Sequence, residues 1–176
     1  MSARADIAAS PEARLARTIR RGLPALLLVL GLMLYLGTRY RIAINDQVDK
    51  CLPPYTVFLV DRHDDAIARD GLYAFPAGER MAPFFPMRMQ VIKRVVGLPG
   101  DTVSVNAETT RVDGRTVGEG LDLAGTLGTP AAQFVREVVL PQDAVWIMGA
   151  TRDSFDSRYW GLLPRHHIIG RAYALL

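Results

Sequence analysis

The sequence predicts a mainly antiparallel β domain carried behind one N-terminal membrane helix. Three observations carry that prediction. Short runs with two-residue alternation recur at close spacing, with no convincing helix among them. An Asp113-Gly114 dipeptide splits Thr109 to Val117 into a hairpin, because both residues tolerate the positive φ of a type I′ turn. Gly22 to Thr38 is an unbroken run of 17 uncharged residues.

Residues 1–21 are polar and basic and read as a mobile cytoplasmic tail, able to become helical near the membrane. Residues 22–40 form the transmembrane helix. At about 1.5 Å per residue the uncharged run spans about 25 Å, short of a hydrocarbon core of about 30 Å. Arg21 and Arg39 can snorkel across the difference, and Tyr35 and Tyr40 suit the interface. A cleaved signal would end in a small-x-small site, which Tyr40-Arg41-Ile42 does not offer, so the helix is read as a permanent anchor. Arg4, Arg14, Arg17, Arg20 and Arg21 precede it, against Arg39, Arg41 and Lys50 after it. That excess keeps the N-terminus in the cytoplasm and puts residues 41–176 outside as one domain.

A net charge of +3 would suit nucleic acid, but the arginines are scattered and no nucleic-acid motif is present, so that partner is set aside. Cys51 is the single cysteine, which excludes an internal disulfide and leaves a thiol that is either inert or reactive. No metal site or cofactor is expected.

In the exported part, Ile42 to Lys50 reads as a connector and Cys51-Leu52-Pro53-Pro54 as a rigid turn, since two prolines fix φ and remove backbone donors. Strands are expected at Tyr55 to Asp61, Gly71 to Phe75, Met89 to Val96, Thr102 to Val105, Gln133 to Leu140 and Ala144 to Met148, with a further apolar strand after His166-His167. Arg62 to Asp70 and Gly118 to Pro130 read as loops. Pro76 to Pro86, dense in proline, reads as an apolar lid on the core or as a surface dipping into the membrane interface.

In the strand from Met89 to Val96, the two-residue period places Lys93 with Met89, Val91 and Val95, and Ile92, Arg94 and Val96 on the other face. The chain has 19 arginines and only two lysines, Lys50 and Lys93. Arginine keeps its proton inside proteins, whereas a desolvated lysine can lose it and become a base. The plainer alternative is a lysine that snorkels its head to water. Gly149 to Gly161 packs polar residues around Phe155, Tyr159 and Trp160 and reads as a hydrogen-bonded loop; the alternative is a surface loop with an Arg152–Asp153 pair. A pairing of Cys51 with His166 or His167 is weighed below a solvated histidine turn.

Three stretches, in order behind the apolar run, resemble the boxes of the type I signal peptidase family, S26. They are Cys51-Leu52-Pro53-Pro54, Lys93-Arg94-Val95-Val96-Gly97-Leu98-Pro99-Gly100-Asp101 and Ser154-Phe155-Asp156-Ser157-Arg158-Tyr159-Trp160-Gly161. The second matches that family's lysine box completely. Compact size and the Cys-Leu-Pro-Pro-Tyr form look most like the conjugative-transfer branch, the TraF-type peptidases that mature pilin precursors.

The resemblance implies an antiparallel, barrel-like signal-peptidase domain on a single-pass protein of the bacterial inner membrane, with its catalytic face in the periplasm. Cys51 would be the nucleophile and Lys93 its general base. Ser154 would orient the amine, Asp156 and Arg158 would brace the loop, and Arg94 stands beside the lysine as a supporting residue. The substrate would be an exported or pilin-like precursor cleaved after small residues. Three departures matter: cysteine stands where the family has serine, Asp49 stands where it often has a small or hydroxyl residue, and Gly149-Ala150-Thr151 replaces Gly-Asp-Asn. A thiol is ordinarily a stronger acid than a lysine ammonium, so a thiolate–ammonium pair becomes available. The alternative function is a non-catalytic bitopic docking component of a secretion or conjugation apparatus.

Overall fold

The computed structural model describes residues 11–44, 52–82 and 84–176. It divides into two units at Arg39/Tyr40. The first holds helix α1 (Pro11–Arg39), which begins on a proline whose fixed φ and missing N–H suit a first helical position. The helix therefore extends well before Gly22. Its apolar part, Ile19–Arg39, has 21 residues and spans about 31 Å, long and apolar enough to cross a membrane without the shortfall expected from the uncharged run.

The second unit is built of antiparallel strands, as the alternation predicts. They are β1 (Tyr40–Ile44), β2 (Val57–Asp61), β3 (Leu72–Pro76), β4 (Gln90–Gly97), β5 (Thr102–Val105), β6 (Thr109–Val112), β7 (Arg115–Glu119), β8 (Arg136–Val139), β9 (Ala144–Met148), β10 (Leu163–Pro164) and β11 (Gly170–Ala174). Among the described residues they form a seven-stranded sheet in the order β1-β2-β11-β3-β4-β9-β10 and a four-stranded sheet in the order β7-β6-β5-β8. The β6–β7 turn has Asp113 at φ 48° and Gly114 at φ 78°, the two positive values a type I′ hairpin needs.

Several elements depart from expectation. Tyr40 to Ile44 is a strand rather than helix end and connector, because β2 supplies its ladder partners from Asp61 back to Val57. Val95 and Val96 are both buried, although alternation assigns them opposite faces; a register shift between Val95 and Gly97 against β9 inserts an extra residue and turns both inward. The first part of Gln133 to Leu140 is a 3₁₀ turn, Ala131–Phe134. A short helix, α2 (Ser157–Trp160), lies where a loop was expected. In the proline-dense stretch Ala77, Met81 and Phe85 are buried, whereas Phe84 and Met87 are exposed, so it covers the core and also presents apolar surface.

One position in the large sheet requires glycine for a close backbone approach. At Gly170, in β11, an added Cβ would collide with the Asp61 carbonyl and come 2.8 Å from Arg62 Cα, both backbone atoms of the neighbouring chain segment. Gly170→Ala is therefore expected to destabilise the domain by about 1–3 kcal/mol, read as a lower urea midpoint at unchanged slope.

Candidate active site

The lysine strand β4 lies between β3 and β9, inside the sheet, so both its edges are paired. Lys93 stands opposite Tyr73 and points with Val91 and Val95 into the main core. It is only 1% exposed. The snorkelling alternative therefore does not describe it.

Nζ of Lys93 donates to Ser154 Oγ at 2.6 Å across 61 residues of sequence. Among the described residues no carboxylate forms an ion pair with that amine. Ser154 is itself fully buried and sits just beyond β9.

The segment holding Ser154 is fixed by a dense set of bonds. Asp156 N-caps α2 by accepting from the Arg158 N–H, and it receives the Arg158 guanidinium bidentately, Nε to Oδ1 and Nη2 to Oδ2, both at 2.9 Å. The same Asp156 accepts from the Gly149 N–H at 3.0 Å. Arg158, fully buried, also donates to the carbonyls of Glu119, Gly120, Thr151 and Ser154. Burial works against its charge, but the Asp156 hydrogen bonds and charge outweigh that and hold its pKa above the usual arginine value. Ser157 Oγ accepts from the buried Ile147 N–H at 3.1 Å, which ties α2 to β9.

Arg94 does not join this group. Its side chain is exposed on the opposite face of β4 and makes no hydrogen bond or ion pair with the described residues. Arg152 pairs with Asp122 and Glu119 rather than with its neighbour Asp153, so it links the loop to the connection after β7. His166 and His167 are exposed on a 3₁₀ turn. Cys51, Asp49 and Lys50 lie outside the described residues; the adjacent Leu52 is buried, with its carbonyl accepting from the Tyr55 N–H at 3.1 Å.

Sequence reasoning missed Ser157, Gly149 and Arg69. Ser157 and Gly149 stand inside the motif stretch and could have been found there. Arg69 could not, because its partners are remote: Nη1 donates to the Val96 carbonyl, and Nη2 pairs with Asp101, which closes the turn after β4 by accepting from the Leu98 N–H. Burial tends to raise the Asp101 pKa, but the Arg69 hydrogen bond and charge and the Leu98 N–H outweigh it and leave it below the ordinary value. A folded pKa below the unfolded one stabilises the fold above the unfolded pKa of about 3.9 and loses that contribution as pH falls through the folded one. The stability gap between wild type and Asp101→Asn is thus expected to be widest near neutrality and to close below about pH 4, as measured by urea unfolding across pH.

Residues 15–176 match the family described as signal peptidase, peptidase S26. The chain belongs to this family. Among relatives of this signal peptidase family member, a probable signal peptidase I-2 of Synechocystis is 37% identical over 83 residues, 47% of this chain and 36% of the relative. A signal peptidase I of Leptolyngbya laminosa is 40% identical over 82 residues, 46% of this chain and 38% of the relative. A probable conjugal transfer protein TraF of Sinorhizobium fredii is 33% identical over 135 residues, 76% of this chain and 64% of that protein. The match thus spans well under half of the two signal peptidases and a larger share of the conjugal transfer protein.

Proposed function

We propose that this chain is a membrane-anchored endopeptidase in which Lys93 is the general base and Cys51 the nucleophile. The single observation that carries the reading is a fully buried lysine, without a carboxylate partner among the described residues, held by one serine hydroxyl. Family membership supports the reaction class, and α1 supports the anchor. Lys93 takes the thiol proton as sulfur attacks the scissile carbonyl, then delivers that proton to the leaving amine, leaving a thioester. Water, deprotonated by Lys93, attacks the thioester; the thiol returns and a carboxylate product leaves.

The substrate is an exported or pilin-like precursor cleaved after a small residue, bound as an added strand on the periplasmic side of the bacterial inner membrane. Similarity to a conjugal transfer protein over 76% of the chain favours a role in conjugation. Co-expression with candidate precursors, followed by mass spectrometry, tests this. Wild type is expected to yield a shortened precursor and Cys51→Ala none. Equal processing by both would remove Cys51 from the mechanism, and no processing by either would favour a docking role.

A further inference from the structure

Arg136 opens β8, an edge strand of the four-stranded sheet, and reaches the segment that carries Ser154. Its Nη2 donates to the Arg158 carbonyl and lies 3.5 Å from the Tyr159 carbonyl, while its Cζ lies 5.8 Å from the centroid of the Trp146 ring. Carbonyls near a helix end lack intrahelical partners and attract a cation. Asp156 secures the start of α2, and Arg136 secures its carbonyl end.

The connection continues inward. Arg158 Nη2 donates to the Ser154 carbonyl at 3.2 Å, and Ser154 Oγ meets Lys93 Nζ at 2.6 Å. Arg136 has no acidic partner among the described residues, and its Nε is buried without a hydrogen bond. A half-buried guanidinium left so incompletely satisfied costs stability. Retaining it makes sense where its placement serves something other than stability.

We propose that Arg136 is a positioning residue: by holding the carbonyl end of α2, it fixes the Ser154 hydroxyl against the Lys93 amine. This rests on the reading of Lys93 as the general base. It makes the four-stranded sheet a part of the catalytic geometry rather than an appendage.

The test uses the full chain in detergent with an internally quenched peptide carrying an Ala-Xaa-Ala site. Arg136→Ala is expected to lower kcat about tenfold or more while KM stays within about twofold, since sub-ångström misplacement acts on the chemical step. Added guanidinium ion should recover part of the loss. Arg115→Ala, which removes an exposed charge from the same sheet, should leave kcat unchanged. A second readout needs no turnover: with only two lysines in the chain, ¹³Cε-lysine labelling gives two signals, and Arg136→Ala should move that of Lys93 and leave that of Lys50. If Arg136→Ala does not fold, Arg136→Gln, which adds no lysine signal, carries the same measurements. An unchanged kcat per folded molecule, or an unmoved Lys93 signal, overturns the proposal. A wild type that cleaves no peptide overturns the peptidase reading instead, and the lysine signals alone then decide the positioning role.

Discussion

Replacing Lys93 with Met is expected to abolish cleavage while leaving the fold as stable as wild type or more so. The two side chains are close in length and volume, so the core into which Lys93 points can accept the thioether without overpacking. What disappears is an amine that is 1% exposed and, among the described residues, held by a single hydrogen bond, to Ser154. Removing such a group relieves desolvation, at the expense of leaving the Ser154 hydroxyl one partner short. General-base catalysis is worth about 10²–10⁴-fold, so kcat should fall by at least that much. Lys93→Arg should be equally inactive, because arginine keeps its proton, but less stable, because a larger cation must fit the same space. Thermal unfolding and peptide turnover on the same preparations check both halves. A Lys93→Met protein that is active, or inactive only because it is unfolded, would contradict the assignment.

Asp156→Ala is expected to cost about 3–5 kcal/mol, the largest stability loss anticipated for a single residue here. The substitution would strand the Arg158 guanidinium, fully buried, without its charge partner. It would also remove the N-cap of α2 and the acceptor for the Gly149 N–H. Asp156→Asn keeps the shape and one acceptor oxygen and should lose less. Because Arg158 still reaches four backbone carbonyls, the domain should remain assembled while the Ser154 segment loosens. Hydrogen exchange at Ile147 and Gly149, whose N–H groups are held by Ser157 and Asp156, reports that loosening directly.

The parts of the fold legible in the sequence are those set by local chemistry. Alternation placed β5, a short continuous apolar run placed β9, and Asp113-Gly114 placed the β6–β7 turn, because backbone conformation and local side-chain pattern are short-range properties. β1 was not legible: Ile42 and Ile44 are exposed, so its pattern carries no buried face, and only pairing with β2 makes it a strand. The burial of both Val95 and Val96 depends on a bulge against β9, which no single strand reveals.

The site divides in the same way. The inward direction of Lys93 followed from its strand period, but its contact with Ser154 crosses 61 residues, and only the family resemblance joined the two stretches. Arg136 and Arg69 bind backbone carbonyls of remote segments, and a carbonyl looks the same in every residue.

The central claim is that Lys93 activates Cys51, and alkylation kinetics test it without knowledge of the precursor. Cys51 is the single thiol, so iodoacetamide incorporation into the full chain reports on it alone. At pH 7 the wild-type protein is expected to react at least about tenfold faster than Lys93→Met, because a neighbouring cation or base raises the thiolate fraction. Equal rates in the two folded proteins would contradict the account.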